Sequence, residues 1–172
     1  MTEITWPTPF GYVIFCDDVR NEVDGKTTIV GAYGADIVFG IPLPVTLGKF
    51  AMVVKYFELP KESSDPIKIE VYFPGDAEDA PSVAANLPAE EMRNMPLPKG
   101  ADNEDARIGA SFNMVFPPFT ILKEGYIRVR AVRGDDVIKL GRLRVTTTYK
   151  DSAKDAPSTS DGTGLQSWAA PT

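Results

Sequence analysis

With 172 residues, of which 43% are hydrophobic and 24% charged, the chain has the composition of one ordinary soluble domain. Its formal net charge of −6 argues against sequence-independent binding of nucleic-acid phosphate or anionic lipid by the chain as a whole. The sequence contains no histidine, which excludes a histidine general base, a histidine metal ligand and any Ser-His or Cys-His nucleophile.

The N-terminal region predicts neither export nor a membrane anchor. Residues 1–7 lack the basic and apolar segments of a secretory signal, and no apolar run approaches the roughly 20 residues of a membrane span. The single cysteine, Cys16, has no disulfide partner within the chain, and its apolar surroundings beside Asp17 and Asp18 predict a buried, unreactive thiol. We therefore expect a cytoplasmic protein, or one assembled into a virion, without membrane contact.

The first third of the chain predicts a succession of strands. Residues 10–16 are apolar on both alternate faces, which predicts a central strand covered on each side. Asp24 and Gly25 favour a tight hairpin turn because both accept positive φ, and the β-branched residues after them predict a strand over 26–33. Two further apolar segments are predicted to be buried strands, 37–45 and 50–59.

Three later segments alternate apolar and polar residues with a period of two, the pattern of a strand with one buried face. They cover residues 67–73, 108–116 and 127–131. The third continues through the turn Gly134-Asp135-Asp136 into a strand over 137–147. Within that last strand the alternation changes phase at Gly141, which predicts a β-bulge.

These segments predict an all-β fold of about seven or eight strands in residues 1–150, an antiparallel β-sandwich of immunoglobulin-like or jelly-roll type. No helical crossovers separate the strands, which argues against a parallel sheet. Residues 76–106 are polar and predict a long loop insertion with one short helix near 89–94. Residues 151–172 have the composition of a flexible polar tail.

A cluster of carboxylates surrounds the first hairpin turn. Its members are Asp17, Asp18, Glu22 and Asp24. If the turn containing Asp135 lies at the same end of the sandwich, these oxygens could hold a hard cation such as calcium. A divalent-cation or carbohydrate-binding module using Asp17, Asp18, Asp24 and Asp135 is therefore one hypothesis. The alternative is a solvated turn with local hydrogen bonds, because the spacing does not match an EF-hand.

No segment carries a catalytic signature. Gly25-Lys26-Thr27 ends like a phosphate-binding loop, but Arg20 stands where the first glycine is required. Ser111 lacks both the second glycine of a nucleophile elbow and a histidine to activate it. Paired carboxylates act without histidine, so an enzyme of that kind is a further hypothesis. We expect no enzymatic activity and no cofactor.

Charge is distributed unevenly along the chain. Residues 104–150 hold nine basic and five acidic residues, a net of +4, which leaves −10 for the remainder. Five of these cations are predicted to project from the polar faces of one hairpin: Arg128, Arg130, Lys139, Arg142 and Arg144. Like charges that face each other across strands are unfavourable, so this basic stripe is expected to meet an acidic surface.

Two kinds of acidic surface are consistent with the basic stripe. The first is intramolecular, such as Glu70 or the acidic loop of residues 76–106. The second is a head-to-tail contact in which the stripe of one copy receives the acidic loop or tail of the next. Leu165 and Trp168 in the tail are candidate contact residues in that case. Nucleic-acid binding is disfavoured because no aromatic residues alternate with the arginines to stack bases.

The N-terminal sequence resembles a known family. Phe15-Cys16-Asp17-Asp18-Val19-Arg20-Asn21-Glu22 is followed by Gly25-Lys26, by Ile29-Val30-Gly31-Ala32-Tyr33 and by Asp36-Ile37. This pattern is similar to the opening of small bacterial and phage-associated proteins of unknown function, over about the first fifth of the chain. The resemblance implies an all-β fold, and it supplies no catalytic residue.

The hypothesis that we favour from the sequence is a non-enzymatic β-sandwich that acts through protein–protein contacts, either with another protein or with itself. A repeated component of a larger assembly, such as a virion, fits the charge segregation and the long polar segments.

Overall fold

The computed structural model of the protein describes residues 8–60, 65–96 and 106–149. Within these ranges the chain forms eleven β-strands, one short α-helix and a single 3₁₀ turn at Val23–Gly25. The strands are β1 (Phe10–Asn21), β2 (Thr27–Ala32), β3 (Asp36–Phe39), β4 (Val45–Leu47), β5 (Phe50–Glu58), β6 (Ile67–Tyr72), β7 (Val83–Leu87), β8 (Ile108–Phe116), β9 (Phe119–Ile121), β10 (Gly125–Arg133) and β11 (Asp136–Thr147), and the helix is α1 (Ala89–Arg93).

Two sheets carry nine of these strands and enclose the core, which confirms the predicted all-β, sandwich-like fold. The smaller sheet has the order β2-β1-β5-β8, and the larger sheet has the order β3-β11-β10-β6-β7. Strands β4 and β9 form a separate two-stranded ribbon. No helix within the described ranges is long and apolar enough to cross a membrane.

The pairing differs from the all-antiparallel prediction at one place. Strand β3 runs parallel to β11, whereas the other pairings are antiparallel. The chain reaches β3 by crossing from the smaller sheet to the larger one. Because no hairpin joins β3 to β11, the two strands are not required to run in opposite directions.

Apolar faces predicted from the alternation form the core between the sheets. Ile67, Ile69 and Val71 of β6 are fully buried, and Ile127, Val129 and Ala131 of β10 are almost fully buried. Strand β5 is buried on both faces: apart from Lys55, its side chains from Phe50 to Tyr56 are at most 1% exposed. The predicted double coverage of residues 10–16 holds only for Phe15 and Cys16, since the rest of that segment is not fully buried.

The two predicted backbone features are present. Asp24 and Gly25 have φ values of 64° and 72° in the turn between β1 and β2, as the hairpin prediction requires. In the β10–β11 hairpin, Val129 lies opposite Gly141 but Arg130 lies opposite Lys139, so β11 contains one extra residue. This bulge confirms the phase change predicted at Gly141, and it lets the apolar side chains in both halves of β11 face the core.

Eleven strands exceed the predicted seven or eight because short strands carry weak sequence signals. Strands β4 and β9 have three residues each, too few to show a period of two. Strand β7 lies inside the segment predicted as a loop, where it pairs with β6 as an edge strand. The predicted helix near 89–94 is confirmed by α1. Residues 97–105 and the predicted tail 151–172 lie outside the described residues.

Candidate functional site

The basic stripe is assembled on the outer face of the larger sheet. Arg128 lies opposite Arg142, and Arg130 lies opposite Lys139, across the β10–β11 hairpin. Arg144 lies opposite Tyr126 in the same ladder. Ile127, Val129 and Leu143, which alternate with these residues, point into the core. The predicted placement of all five cations on one face is therefore correct, while their role in partner binding stays a prediction.

A groove of about 450 Å³ follows this face. Four of the five cations line it, namely Arg128, Arg130, Lys139 and Arg142. Tyr72 from β6, Glu78 from the loop after β6, and Val137 from β11 complete much of the wall. The groove therefore combines positive charge, a phenol ring and an aliphatic side chain on a rigid, hydrogen-bonded sheet.

Glu70 neutralises part of the stripe from the neighbouring strand β6. Its carboxylate accepts hydrogen bonds from Tyr72 Oη at 2.8 Å and from Arg130 Nε at 2.7 Å, and Lys68 Nζ lies 2.8 Å from it. Burial alone would raise the pKa of Glu70, but these donors outweigh burial and lower it to about 2. Glu70 is thus an ionised, buried acceptor that fixes Arg130 in place.

Tyr72 lies beneath the two arginines of β10. The guanidinium carbons of Arg128 and Arg130 lie 5.0 and 4.4 Å from the centre of its ring, a geometry that favours cation–π attraction. Burial raises the pKa of Tyr72, and its hydrogen bond to Glu70 raises it further. The hydroxyl group therefore stays protonated and donates to Glu70.

Glu78 reaches the groove from the loop between β6 and β7. Its carboxylate pairs with Arg128 and lies 3.7 Å from Arg130, and its main-chain carbonyl accepts a hydrogen bond from Arg130 Nη2 at 2.9 Å. Asp76 shapes this loop by accepting from the amides of Phe73 and Ser82. Burial opposes ionisation of Asp76, but the hydrogen bonds from Ser82 and Phe73 outweigh it and lower the pKa.

Arg144 occupies the far end of the stripe. Its Nε and Nη2 donate to the two carboxylate oxygens of Asp36 at 2.8 and 3.1 Å, a bidentate pair between β11 and β3. Beside it, the guanidinium of Arg142 lies 4.8 Å from the centre of the Tyr126 ring. A second cavity of about 230 Å³ is lined by these four residues and Ala35, so Arg142 borders both cavities.

Within residues 8–60, 65–96 and 106–149, carboxylates pair with only part of the stripe. Arg128, Arg130 and Arg144 have carboxylate partners, as the intramolecular alternative predicted for Glu70 and for the loop of residues 76–106. Among the residues that the structure describes, Lys139 and Arg142 have no carboxylate partner. Both side chains are exposed and line the same groove. This asymmetry distinguishes Lys139 and Arg142 from the other three cations of the stripe.

The carboxylates proposed for a cation do not converge. Asp17 accepts a hydrogen bond from Tyr33 Oη, and Asp18 pairs with Lys49 at 2.9 Å. The hydrogen bond from Lys49 lowers the pKa of Asp18. Within residues 8–60, 65–96 and 106–149, no three Cys, Asp or Glu side chains are grouped so as to hold a metal ion.

The two acidic turns lie at opposite ends of β1, so the condition stated for a shared cation site is not met. Asp24 follows the C-terminal end of β1. Asp135 lies in the β10–β11 turn, beside Arg133, whose side chain contacts Glu58 at the end of β5. In the antiparallel β1–β5 pair, that end of β5 lies against Phe10, at the start of β1. The twelve residues of β1 therefore separate Asp24 from Asp135, because strand direction and not sequence clustering sets which turns are neighbours.

The buried ion pair between Glu58 and Arg133 was not predicted from the sequence. Arg133 Nη2 donates to Glu58 Oε1 at 2.6 Å, and both side chains are under 5% exposed. Tyr56 Oη donates to the other oxygen of Glu58 at 3.0 Å, and Arg133 also donates to the carbonyl of Asp65. The available signal was the acidic residue that ends a strand apolar apart from Lys55, since a buried acidic residue needs a partner.

Leu165 and Trp168 lie outside the described residues. Cys16 is fully buried, as predicted. Burial raises the pKa of its thiol, and the Asp17 and Asp18 carboxylates raise it further, which keeps the sulfur protonated.

Comparison with known proteins adds no functional assignment. No protein-family model matches the chain, and no curated protein is significantly similar to it in sequence.

Proposed function

We propose that this protein is a non-enzymatic interaction module whose basic groove receives an acidic segment of another copy, giving a head-to-tail assembly. The observation that carries this proposal is the pair Lys139 and Arg142, two exposed cations in one groove without a carboxylate partner among the described residues. A repeated component of a larger particle, in the cytoplasm or in a virion, is the setting that we propose for such an assembly.

Charge complementarity supports a second copy as the partner. The segment 104–150 carries +4, while the rest of the chain carries −10, so each copy contains both a basic and an acidic part. A contact between two different surfaces propagates from copy to copy, which suits a repeated component. The calcium and carbohydrate alternative receives no comparable support, because Asp17 and Asp18 already have other partners.

Sedimentation velocity at low and high salt tests the proposal. We expect concentration-dependent association of the full chain at about 20 mM salt and dissociation near 500 mM, because screening shortens the range of charge attraction to a few ångströms. Lys139→Glu/Arg142→Glu is expected to be monomeric at both salt concentrations. A wild-type protein that stays monomeric throughout would overturn self-association.

A charge-matched variant serves as the control. Lys26→Glu/Arg93→Glu makes the same change in net charge at two exposed positions, one in the first hairpin turn and one in α1. We expect this variant to associate as the wild type does. If both variants lose association equally, net charge and not the groove is responsible.

A further inference from the structure

This inference rests on the proposed function and specifies the ligand. We infer that the groove recognises an extended acidic segment with carboxylates two residues apart, and that one of them replaces Glu78 on Arg128. The groove then has two anion positions, one over β10 and one over β11.

The first anion position lies over β11. Lys139 and Arg142 flank the bulge, both are exposed, and neither has a carboxylate partner among the described residues. Arg142 is held against the Tyr126 ring, 4.8 Å from its centre. An ordered arginine beside a lysine favours binding of a carboxylate, since less side-chain entropy is lost on contact.

The second anion position lies over β10 and is already occupied by Glu78. Two carboxylates contact the arginines here, and their surroundings differ. Glu70 is 5% exposed and has three donors, so its displacement would break three contacts to a buried carboxylate at once. The side chain of Glu78 is 75% exposed and comes from a loop. An exposed ion pair contributes little to stability, so a ligand carboxylate can exchange with Glu78.

The distance between neighbouring strands determines how far apart the carboxylates of the ligand must lie. Neighbouring strands lie about 4.8 Å apart, and side chains at i and i+2 of an extended peptide lie about 6.5 Å apart on one side. Arg128 and Arg142 lie directly opposite each other on β10 and β11. Arginine and glutamate side chains are long enough to span the difference between these two distances, so an acid-x-acid segment laid across the strands can bring one carboxylate to each position, while Val137, 53% exposed, offers apolar contact.

A peptide titration of the full chain tests this inference. The probe is a soluble peptide with a central Glu-Ser-Glu between Gly and Ser residues, followed by NMR of the arginine side chains at low salt. Control peptides replace both glutamates by glutamine, or separate them by six residues. We expect binding of the first peptide and at least about five-fold weaker binding of both controls.

Three variants give the decisive comparison, each checked for folding by its thermal transition. Lys139→Gln/Arg142→Gln is expected to weaken binding at least about five-fold, and Glu78→Gln to strengthen it about two- to five-fold by removing the competitor. Lys26→Gln/Arg93→Gln should leave it unchanged. If Glu78→Gln weakens binding or leaves it unchanged, or if the widely spaced peptide binds equally well, the inference is wrong.

The two proposals fail in different ways. Peptide binding as described, in a protein that stays monomeric in sedimentation, supports this inference and overturns self-association. Association without any preference for the Glu-Ser-Glu peptide overturns this inference and leaves self-association standing.

Discussion

At the scale of single residues, two glutamates that contact the same arginine differ in how far they are buried. Glu70 and Glu78 contact the same arginine, yet Glu70 is 5% exposed and the side chain of Glu78 is 75% exposed. When its donors are removed, the buried carboxylate cannot form replacement hydrogen bonds to water, whereas the exposed one can. We therefore expect their substitution to have very different consequences.

The first prediction concerns acid stability. The pKa of Glu70 is about 2 in the folded protein, against an ordinary value of 4.5. A depressed carboxyl pKa contributes stability above pH 4.5 that is lost as the pH falls toward 2, and the difference corresponds to about 3 kcal/mol. Glu70→Gln should lower the free energy of unfolding by about 2–3 kcal/mol at pH 7 and by much less near pH 2.

Urea unfolding between pH 2 and pH 7 measures this dependence. Glu78→Gln is the control, and we expect it to cost at most about 1 kcal/mol because its ion pairs are exposed. Equal losses for both variants would show that burial does not separate the two carboxylates.

The second prediction concerns the buried pair of Glu58 and Arg133. Arg133→Met removes the cation that pairs with the buried Glu58 carboxylate, and we expect a loss of about 3–5 kcal/mol in the free energy of unfolding. Glu58→Leu/Arg133→Met removes both charges and should cost clearly less than the sum of the single changes. A double-mutant cycle by denaturant unfolding measures the coupling, and strict additivity would contradict it.

At the level of single residues, the alternating segments predicted which side chains face the core, whereas the prediction for residues 10–16 held only for Phe15 and Cys16. The sequence did not predict which charges pair. Arg133 and Glu58 are 75 positions apart, and their contact depends on strands from both sheets. Such a pairing leaves no local periodicity in the sequence.

Among the elements, the β10–β11 hairpin shows how one bulge orients a functional face. Without the extra residue in β11, Lys139 and Arg142 would lie on opposite faces, because side chains three positions apart alternate in a regular strand. With the bulge, both line the same groove. The bulge thus places Lys139 and Arg142 on the same face of the sheet.

The third prediction tests this bulge. Gly141 has φ of 159°, and a Cβ at this position would lie 2.6 Å from Val13 Cγ1 in β1. Gly141→Ala should therefore lower the free energy of unfolding by about 1–3 kcal/mol through overpacking. Val13→Ala/Gly141→Ala should recover part of the loss relative to additivity, because the smaller side chain at position 13 gives room. Thermal and denaturant unfolding measure both variants.

Elements were predictable where they are long and regular. The alternation in 67–73, 108–116 and 127–131 is sufficient to place β6, β8 and most of β10. Strand β7 was missed because Ala84, Ala85 and Asn86 have low strand propensity. It forms because the edge of β6 offers unpaired backbone groups, a feature of the sheet and not of the segment.

For the whole molecule, the fourth prediction concerns the C-terminal segment. The buried cluster of the described residues draws on both sheets and extends from Phe15 to Val145. We expect deletion of residues 151–172 to leave the thermal midpoint within about 2 °C of wild type and to reduce association. Calorimetry and sedimentation measure the two effects. Unfolding of the truncated chain would instead place Leu165 or Trp168 in the core.

Composition and alternation by themselves determined the class of this protein. The absence of histidine, the strand periodicity and the separation of +4 from −10 are properties of the chain in any conformation. Tertiary structure decided which charges meet. Whether Asp24 lies near Asp135, and whether Glu78 pairs with Arg128 or with Lys139, depends on strand order and direction. Charge interactions act over a few ångströms through space, and folding alone sets those distances.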